Sequence, residues 1–338
     1  MKVSSFHTLL LAAASLSAQA TADFKVTPGS TIKAATSKNV NFVKQWTLTA
    51  SATTNTIDSI DLSLAGNAYV SYVSGLPSGV IGYVNVSGDS RAVVNAVTVS
   101  KDVDNDLDND NDLDDLFDND NDKGGELNVW LGNKATSGYL LTEIFLASPD
   151  AVKDVNSKRS AHVVIEDGVL VTQGKRAELQ IDASGSSAVY VSAPDTAVSV
   201  RQLSLETTGS AKIEYSVESI HARSELQMDA QGSSSISVLS STVKTSQLEL
   251  DALNSGKICI DAQEVKATWR DIQGKNKISM PNAVKKHGTT GTFACVASKL
   301  PARKAAQITA SPTSATGYVD NDDLDDDLDN DLNDSTED

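Results

Sequence analysis

The feature that most constrains the fold of this chain is a pair of apolar residues, separated by one residue, that returns every 20 to 24 residues. The first members of these pairs are Val189, Ile213, Ile236, Ile258 and Ile278, at steps of 24, 23, 22 and 20 residues. A second apolar pair precedes most of them, at Leu179/Ile181, Leu203/Leu205, Leu226/Met228 and Leu248/Leu250. Period-two alternation predicts β-strands, and a repeat of this length predicts stacked coils. The sequence therefore predicts an all-β fold, a right-handed parallel β-solenoid with coils of roughly 20 to 24 residues.

A short polar segment stands between the two apolar pairs of each repeat. These segments are rich in glycine, serine, threonine and asparagine, and they lie at 184–187, 207–210, 231–234 and 253–256. Glycine and serine allow a sharp turn, so we expect the same corner in every coil. The apolar pairs are then expected to stack inward into one continuous core, which no single coil could bury alone.

These repeats resemble the head GIN domain family of auto-transporter adhesins, formerly a domain of unknown function. That family combines a leucine-rich strand, a corner similar to Ser-Gly-Ser-Gly and a following strand of isoleucine and valine. Upstream, 144–149 is similar to the family's strand-proline entry into the first coil, and 62–70 is similar to its opening strands. The resemblance spans roughly 57–280, and the acidic segment 102–122 departs from it. It implies an adhesive role outside the cell and supplies no catalytic residues.

The start of the chain has the pattern of a secretory signal peptide, predicted at residues 1–20. Lys2 precedes an apolar run from Leu9 to Leu16, and Ala18 and Ala20 fit a small-x-small cleavage site. The run is shorter than the roughly 20 residues that a membrane-spanning helix needs. We therefore expect a secreted, extracellular protein with no membrane span, for which association with the cell surface is an open alternative.

The net charge of −17 is concentrated in two acidic segments. Eleven acidic residues lie in 102–122 and eleven in 320–338, which leaves 23 acidic against 28 basic residues, about +5, for the rest. Segments this polar cannot bury enough apolar surface to offset chain entropy, so both are predicted to be disordered. The predicted organisation is a signal peptide 1–20, a lead-in 21–56, a solenoid domain 57–281 with the insert 102–122, a linker 282–318 and an acidic tail 319–338.

The acidic segments are also candidate cation sites. Their alternating oxygen ligands resemble a calcium loop, and the candidate ligands are Asp118, Asp120, Asp122, Asp325, Asp327 and Asp329. A hand-type loop needs Gly at position six and Glu at position twelve, where this chain has Lys123 and Val129. We therefore predict no cofactor and no dedicated calcium site. Two alternatives stay open, which are weak binding of calcium or other divalent cations and a purely solubilising role.

Four acidic residues hold the same position in successive repeats, directly after the leucine strand. They are Asp182, Glu206, Asp229 and Asp251. In a solenoid these residues would form a ladder with neighbours about 4.8 Å apart. The ladder is a candidate ligand face, since it could bind a cation or pair carboxylates for glycoside cleavage. The structural alternative is that each carboxylate accepts hydrogen bonds from the corner that follows it.

Two covalent features are predicted. Cys259 and Cys295 are expected to form a disulfide because the chain is directed to an oxidising compartment, with buried free thiols as the alternative. Asn85 and Asn333 stand in Asn-x-Ser sequons, which are N-glycosylation sites in a eukaryotic source.

Together these features predict a secreted, adhesin-like or matrix-associated binding protein with no enzymatic activity. Its ligand outside the cell or at the cell surface is not identified by the sequence. Two other functions stay open: a calcium-responsive extracellular protein that binds cations through its Asp-rich segments, and a polysaccharide lyase or hydrolase on a β-helix scaffold. The acidic balance, without a basic stripe interleaved with aromatic residues, argues against nucleic acid as a partner.

Overall fold

The computed structural model describes residues 24–37, 39–50, 56–101, 124–132 and 136–310. The described chain is nearly all β, with a parallel β-solenoid of about five turns, which confirms the predicted fold class. Within it, no helix is long and apolar enough to cross a membrane. The two acidic segments, and the predictions made for them, lie outside the described residues.

The described strands follow one another with a single short α-helix, α1 (Arg91–Asn95), between the fifth and the sixth. In chain order they are β1 (Phe24–Pro28), β2 (Ile32–Ser37), β3 (Val40–Ala50), β4 (Thr56–Tyr72), β5 (Val80–Gly88), β6 (Val97–Lys101), β7 (Gly124–Leu131), β8 (Thr136–Leu146), β9 (Asp154–Glu166), β10 (Glu178–Ala183), β11 (Ala188–Thr207), β12 (Lys212–Ala230), β13 (Ser235–Leu239), β14 (Thr242–Ala252), β15 (Lys257–Asp261), β16 (Glu264–Gln273), β17 (Ile278–Ser279) and β18 (Ala306–Ala310).

The solenoid forms because equivalent residues of successive coils pair in register. Along β10, β11, β12 and β14, Leu179 pairs with Leu203, which pairs with Leu226 and then with Leu248. These four side chains are at most 1% exposed. The column that begins at Val189 is paired in the same way, down to β17. Burial of each of these leucines stabilises the fold by about 1.5 to 3 kcal/mol. The spacing of the leucines in the sequence is therefore also the spacing of the residues that build the core.

Each coil turns at the polar corner that the glycine content predicts. Five residues at equivalent corner positions have φ between +53° and +79°: Arg159, Gly185, Gly209, Gly232 and Asn254. In the last four of these corners, the residue after this position donates its N–H to the carbonyl of the equivalent position in the preceding corner, at 2.6 to 2.8 Å. The corner amides are therefore used in joining one coil to the next.

An antiparallel sheet covers the first coils. β3 pairs with β1, β2 and β5, and β5 pairs with β8. Trp46 and Leu48 alternate with polar residues in β3 and are at most 3% exposed. Residues 24–50, which the sequence assigned to a lead-in, are therefore largely strands of the folded body, because the apolar face of β3 packs on the core.

The chain returns along the outside of the solenoid after the last coil. We call residues 293–305 the strap, and it leads into β18, which pairs antiparallel with β8. The strap crosses one outward-facing column whose members are each at most 9% exposed: Tyr69, Val164, Tyr190, Glu214, Ser237, Cys259 and Ser279. The described part of the segment assigned to a linker, 282–310, is thus packed on the body.

The strap is fastened in its first half by a disulfide and a buried carboxylate. Cys295 is bonded to Cys259 of β15, as predicted. The Ser298 amide donates to both carboxylate oxygens of Glu214, at 3.1 and 2.9 Å. The Lys212 ammonium lies 3.1 Å from the same carboxylate. Glu214 is 4% exposed, and these donors satisfy a charge that would otherwise be costly to bury.

Arg303 fastens the other end of the strap. Its guanidinium lies 4.7 Å from the centre of the Tyr69 ring. It also lies 3.2 Å from the Glu166 carboxylate and 3.6 Å from that of Glu143. One residue thus combines a cation–π contact with two ion pairs, and it ties the strap to the first coils.

The last coil presents a charged edge. β16 pairs with β14, and no described strand pairs along its other side. Arg270 pairs with Leu248 and so stands at the position where the earlier coils have a buried leucine. A charge at an inward position discourages pairing of an edge strand with another sheet. Beside it, Trp269 is 74% exposed.

Candidate functional site

The candidate site is one outer surface of the solenoid, which we call the acidic face. It is formed by the side chains that alternate with the leucine columns in β9, β10, β11, β12, β14 and β16, and it has three rows. The first row is Glu178, Gln202, Glu225, Gln247 and Trp269. The second is Asp154, Gln180, Ser204, Gln227, Glu249 and Asp271. The third, which we call the acid row, is Asn156, Asp182, Glu206, Asp229, Asp251 and Gln273.

The register brings together the four acids that the sequence predicted to align. Asp182 pairs with Glu206, Glu206 with Asp229, and Asp229 with Asp251. Neighbouring strands in a sheet lie about 4.8 Å apart, so the acid row holds four consecutive carboxylates at that spacing. In the first row, by contrast, glutamines alternate with glutamates. The acid row is therefore where repulsion between like charges is concentrated.

The carboxylates of the acid row accept hydrogen bonds from a few side chains. Gln180 donates to Oδ2 of Asp182 and Gln231 donates to Oδ2 of Asp229, both at 2.9 Å. The hydroxyl of Ser204 donates to Glu206 at 3.3 Å. The backbone amides of the corners bond the adjacent coil instead. The structural alternative was that the following corner donates a hydrogen bond to each carboxylate. Among the donors named here, only Gln231, which bonds Asp229, belongs to a corner.

One oxygen of several of these carboxylates has no hydrogen-bond partner in the described chain. The Oδ1 atoms of Asp182, Asp229 and Asp251 are buried and unpartnered, and so is Oδ1 of Asp154 in the second row. An unpartnered buried oxygen costs free energy, more so when it is charged. The acid row therefore carries acceptors that the solenoid itself does not satisfy.

Burial also changes the acidity of the row. Desolvation raises the pKa of Asp182 to about 6, with the hydrogen bond from Gln180 opposing it and the charges of Glu206 and Asp154 adding to it. The pKa of Asp251 is raised first by burial and then by the charges of Asp229 and Glu249. Near neutral pH, burial and the neighbouring negative charges therefore disfavour the ionised forms of Asp182 and Asp251.

We expect the substitution Asp182→Asn to stabilise the protein at pH 7 but not at pH 4. The folded-state pKa of Asp182 is above its ordinary value of 3.8, so its contribution to stability is lost as pH rises through about 6. The neutral amide removes this loss, worth about 1 kcal/mol after screening by solvent at a partly exposed carboxyl. Urea denaturation at both pH values measures it. Asp195→Asn, at an exposed position of β11, is the charge-matched control, and equal gains for both variants would contradict the expectation.

The other predicted site residues lie elsewhere. Asp118, Asp120, Asp122, Asp325, Asp327, Asp329 and Asn333 are outside the described residues. Asn85 lies within β5, between β3 and β8, and its side-chain oxygen accepts a hydrogen bond from Gln45 at 2.9 Å. In the part of the chain that the structure describes, no group of three or more His, Cys, Asp or Glu residues is placed to hold a metal ion.

Sequence reasoning missed the polar rows beside the acid row and the role of Glu214. Gln202 and Gln247 recur with the period of the repeat, two coils apart, and this spacing was a usable signal. Glu214 stands between two fully buried residues, Ile213 and Tyr215, but nothing near it in sequence shows that Ser298 is its partner. That contact joins residues 84 positions apart.

Comparison with known proteins gives no family or relative. No protein-family model, curated protein or solved structure matches this chain. A β-solenoid by itself does not determine function. What the protein does must therefore be inferred from the acidic face and from the surfaces around it.

Proposed function

We propose that the protein is a secreted, adhesin-like or matrix-associated binding protein without catalytic activity, and that the acidic face is its ligand-binding surface. The observation that carries the proposal is the acid row, in which Asp182, Asp229 and Asp251 each keep one buried carboxylate oxygen without a partner. The resemblance of the repeats to adhesin heads points in the same direction. The disulfide and the absence of a membrane-spanning helix in the described chain are compatible with an extracellular protein.

The chemistry of the face favours a cationic ligand. Carboxylate and amide oxygens are the groups that bind calcium, and the acid row offers four adjacent carboxylates to a cation. Regular spacing of about 4.8 Å allows one contact to be repeated along the solenoid. A series of weak contacts gives avidity toward a repetitive surface or polymer, as an adhesive protein requires. Binding is expected to weaken below about pH 6, where Asp182 takes up a proton.

Calcium titration by calorimetry tests the proposal. The full chain is expected to bind calcium with a Kd of about 10⁻⁴ to 10⁻³ M, the range of extracellular modules. The triple variant Asp182→Asn, Asp229→Asn and Asp251→Asn is expected to lose about tenfold or more in affinity, since it neutralises three of four adjacent acids. The matched control is Asp167→Asn, Asp195→Asn and Glu218→Gln, which neutralises three exposed acids away from this face.

A third protein separates the acidic face from the acidic segments. Deleting 102–122 and 320–338 leaves the acid row intact and removes 22 acidic residues. Calcium binding that survives this deletion and fails in the triple variant supports the proposal. Binding that fails in the deletion variant and survives in the triple variant would overturn it, because the Asp-rich segments would then be the cation sites.

A further inference from the structure

The far end of the solenoid, where the last coil stops, is basic. Residues 264–286 contain six basic and two acidic side chains, a net charge of +4. The segment 282–290 crosses the end of the coil, since the Val284 amide donates to the Gln263 carbonyl and the His287 ring bonds the Val265 carbonyl. We call this surface the basic end, formed by Lys266, Arg270, Lys275, Lys277, Lys285 and Lys286.

Most of these charges have no partner within the described chain. Lys266 is paired with Glu264 at 2.6 Å, and the Lys277 ammonium bonds a backbone carbonyl. The side chains of Arg270, Lys275, Lys285 and Lys286 are exposed, and the structure gives them no ion pair with a described residue. Like charges gathered without counter-charges raise the potential of a surface and attract acidic groups.

The basic end also has the most exposed large apolar side chains of the described chain. Trp269 is 74% exposed and Val284 is 95% exposed. Tryptophan and arginine are enriched at protein interfaces relative to the rest of the surface, and here the exposed Trp269 stands next to the unpaired Arg270. A suitable partner would combine acidic residues with a few apolar ones.

The acidic segment 320–338 has this composition. It holds eleven acidic residues and no basic one, and Leu324, Leu328 and Leu332 recur in it at every fourth position. Its charges complement the lysines and the arginine of the basic end, and its leucines complement Trp269 and Val284.

The described chain ends at the opposite end of the solenoid from the basic end. β18 ends at Ala310, opposite Thr136 of β8, in the first coils. From Ala310 to Asp320 a fully stretched chain spans at most about 36 Å. The column from Ser59 to Asp271 takes up six strand spacings, about 29 Å, before any detour around the body. Only a nearly straight connection would bring the whole segment onto the same molecule, whereas a second copy meets no such restriction.

We infer that the basic end binds the acidic segment 320–338 of a second copy of this chain. The two partners use different surfaces, so the contact is head to tail and does not close on itself. Repeated, it joins molecules into a linear array with the acidic faces displayed along it. The association does not use the acid row, although Trp269 belongs both to the basic end and to the first row of the acidic face.

Sedimentation velocity on complementary variants tests the inference. Deletion of 320–338 leaves a protein with only a working basic end, and the variant Lys275→Glu, Lys285→Glu and Lys286→Glu leaves one with only a working acidic segment. The wild-type chain is expected to associate as its concentration rises, and each variant alone is expected to do so about tenfold or more weakly. Mixed together, the two variants are expected to form a one-to-one complex and nothing longer, since each retains one functional surface.

Salt and a matched variant complete the experiment. Raising the salt concentration from roughly 0.1 to roughly 1 M shortens the Debye length from about 10 to about 3 Å and is expected to dissociate the array. The control Lys25→Glu, Lys33→Glu and Lys175→Glu changes three exposed lysines away from the basic end, makes the same change in net charge and is expected to associate like the wild type. A wild-type chain that stays monomeric, or a mixture that gives no complex, would overturn the inference. If the wild type associates but the mixture of variants gives no complex, the copies associate through surfaces other than the basic end and the acidic segment.

Discussion

Replacing Cys295 by serine, together with Cys259, is expected to lower the free energy of unfolding by about 3 to 4 kcal/mol. The disulfide closes a loop of 36 residues, and the loss follows from the chain entropy that this loop removes from the unfolded state. The substitution also frees the start of the strap, which lies on a column of buried residues. Equilibrium denaturation in urea, under non-reducing conditions, measures the change.

The control for this prediction is the wild-type protein in reductant. Reduced wild type and the double serine variant are expected to unfold at the same urea concentration, because both lack the same bond. The contacts of Ser298 with Glu214 and of Arg303 with Tyr69 remain in both, so the solenoid is expected to stay folded at 25 °C. A loss below about 1 kcal/mol would contradict the prediction and would show that the remaining contacts hold the strap without help.

The second large effect is expected at a corner, from Gly209→Ala. Gly209 has φ +73°, and a Cβ built there would lie 2.9 Å from the carbonyl oxygen of Gly185 in the preceding coil. A left-handed alanine costs about 1 to 2 kcal/mol, and forcing two stacked corners apart adds a comparable amount, so we expect a total of about 3 kcal/mol. Thermal and urea denaturation check this value.

Gly75→Ala separates the two causes. Gly75 has φ +78°, but nothing lies within 4 Å of the Cβ that the substitution would add. It is therefore expected to lose only the conformational part, about 1 kcal/mol. If both variants lost the same stability, the stacking of corners would not be what requires glycine at position 209.

The coils could be predicted because their information is local and repeated. Leu203, Leu226 and Leu248 recur with the same spacing that pairs them in the structure. The corner glycines and the alignment of Asp182 with Glu206 follow from the same period. One property of the acid row could not be read in this way. The partners of its carboxylates depend on which corner amides are already bonded to the next coil, and that is a property of the stack.

The strap could not be predicted because its contacts join distant parts of the chain. Residues 293–305 have no repeat and little apolar periodicity, so a linker was the expectation. The contact of Arg303 with Tyr69, and the pairing of β18 with β8, connect the end of the described chain to its first coils. The antiparallel sheet that covers the first coils was not predicted for a similar reason, because β3 forms no part of the repeat.

The strap also limits how this protein can change its length. Ser279 bonds the Phe293 carbonyl at one end of the covered column, and Tyr69 bonds the Pro301 carbonyl at the other. The column takes up six strand spacings, about 29 Å, and eight steps of extended chain reach about 26 to 29 Å. The strap can therefore span the column only with its chain almost fully extended. Repeat proteins usually gain or lose units by simple duplication or deletion. In this protein, however, the length of the strap matches the number of coils that it crosses. A gene that gained one coil would also need one or two more residues in the strap, so the number of coils and the length of this segment have to change together.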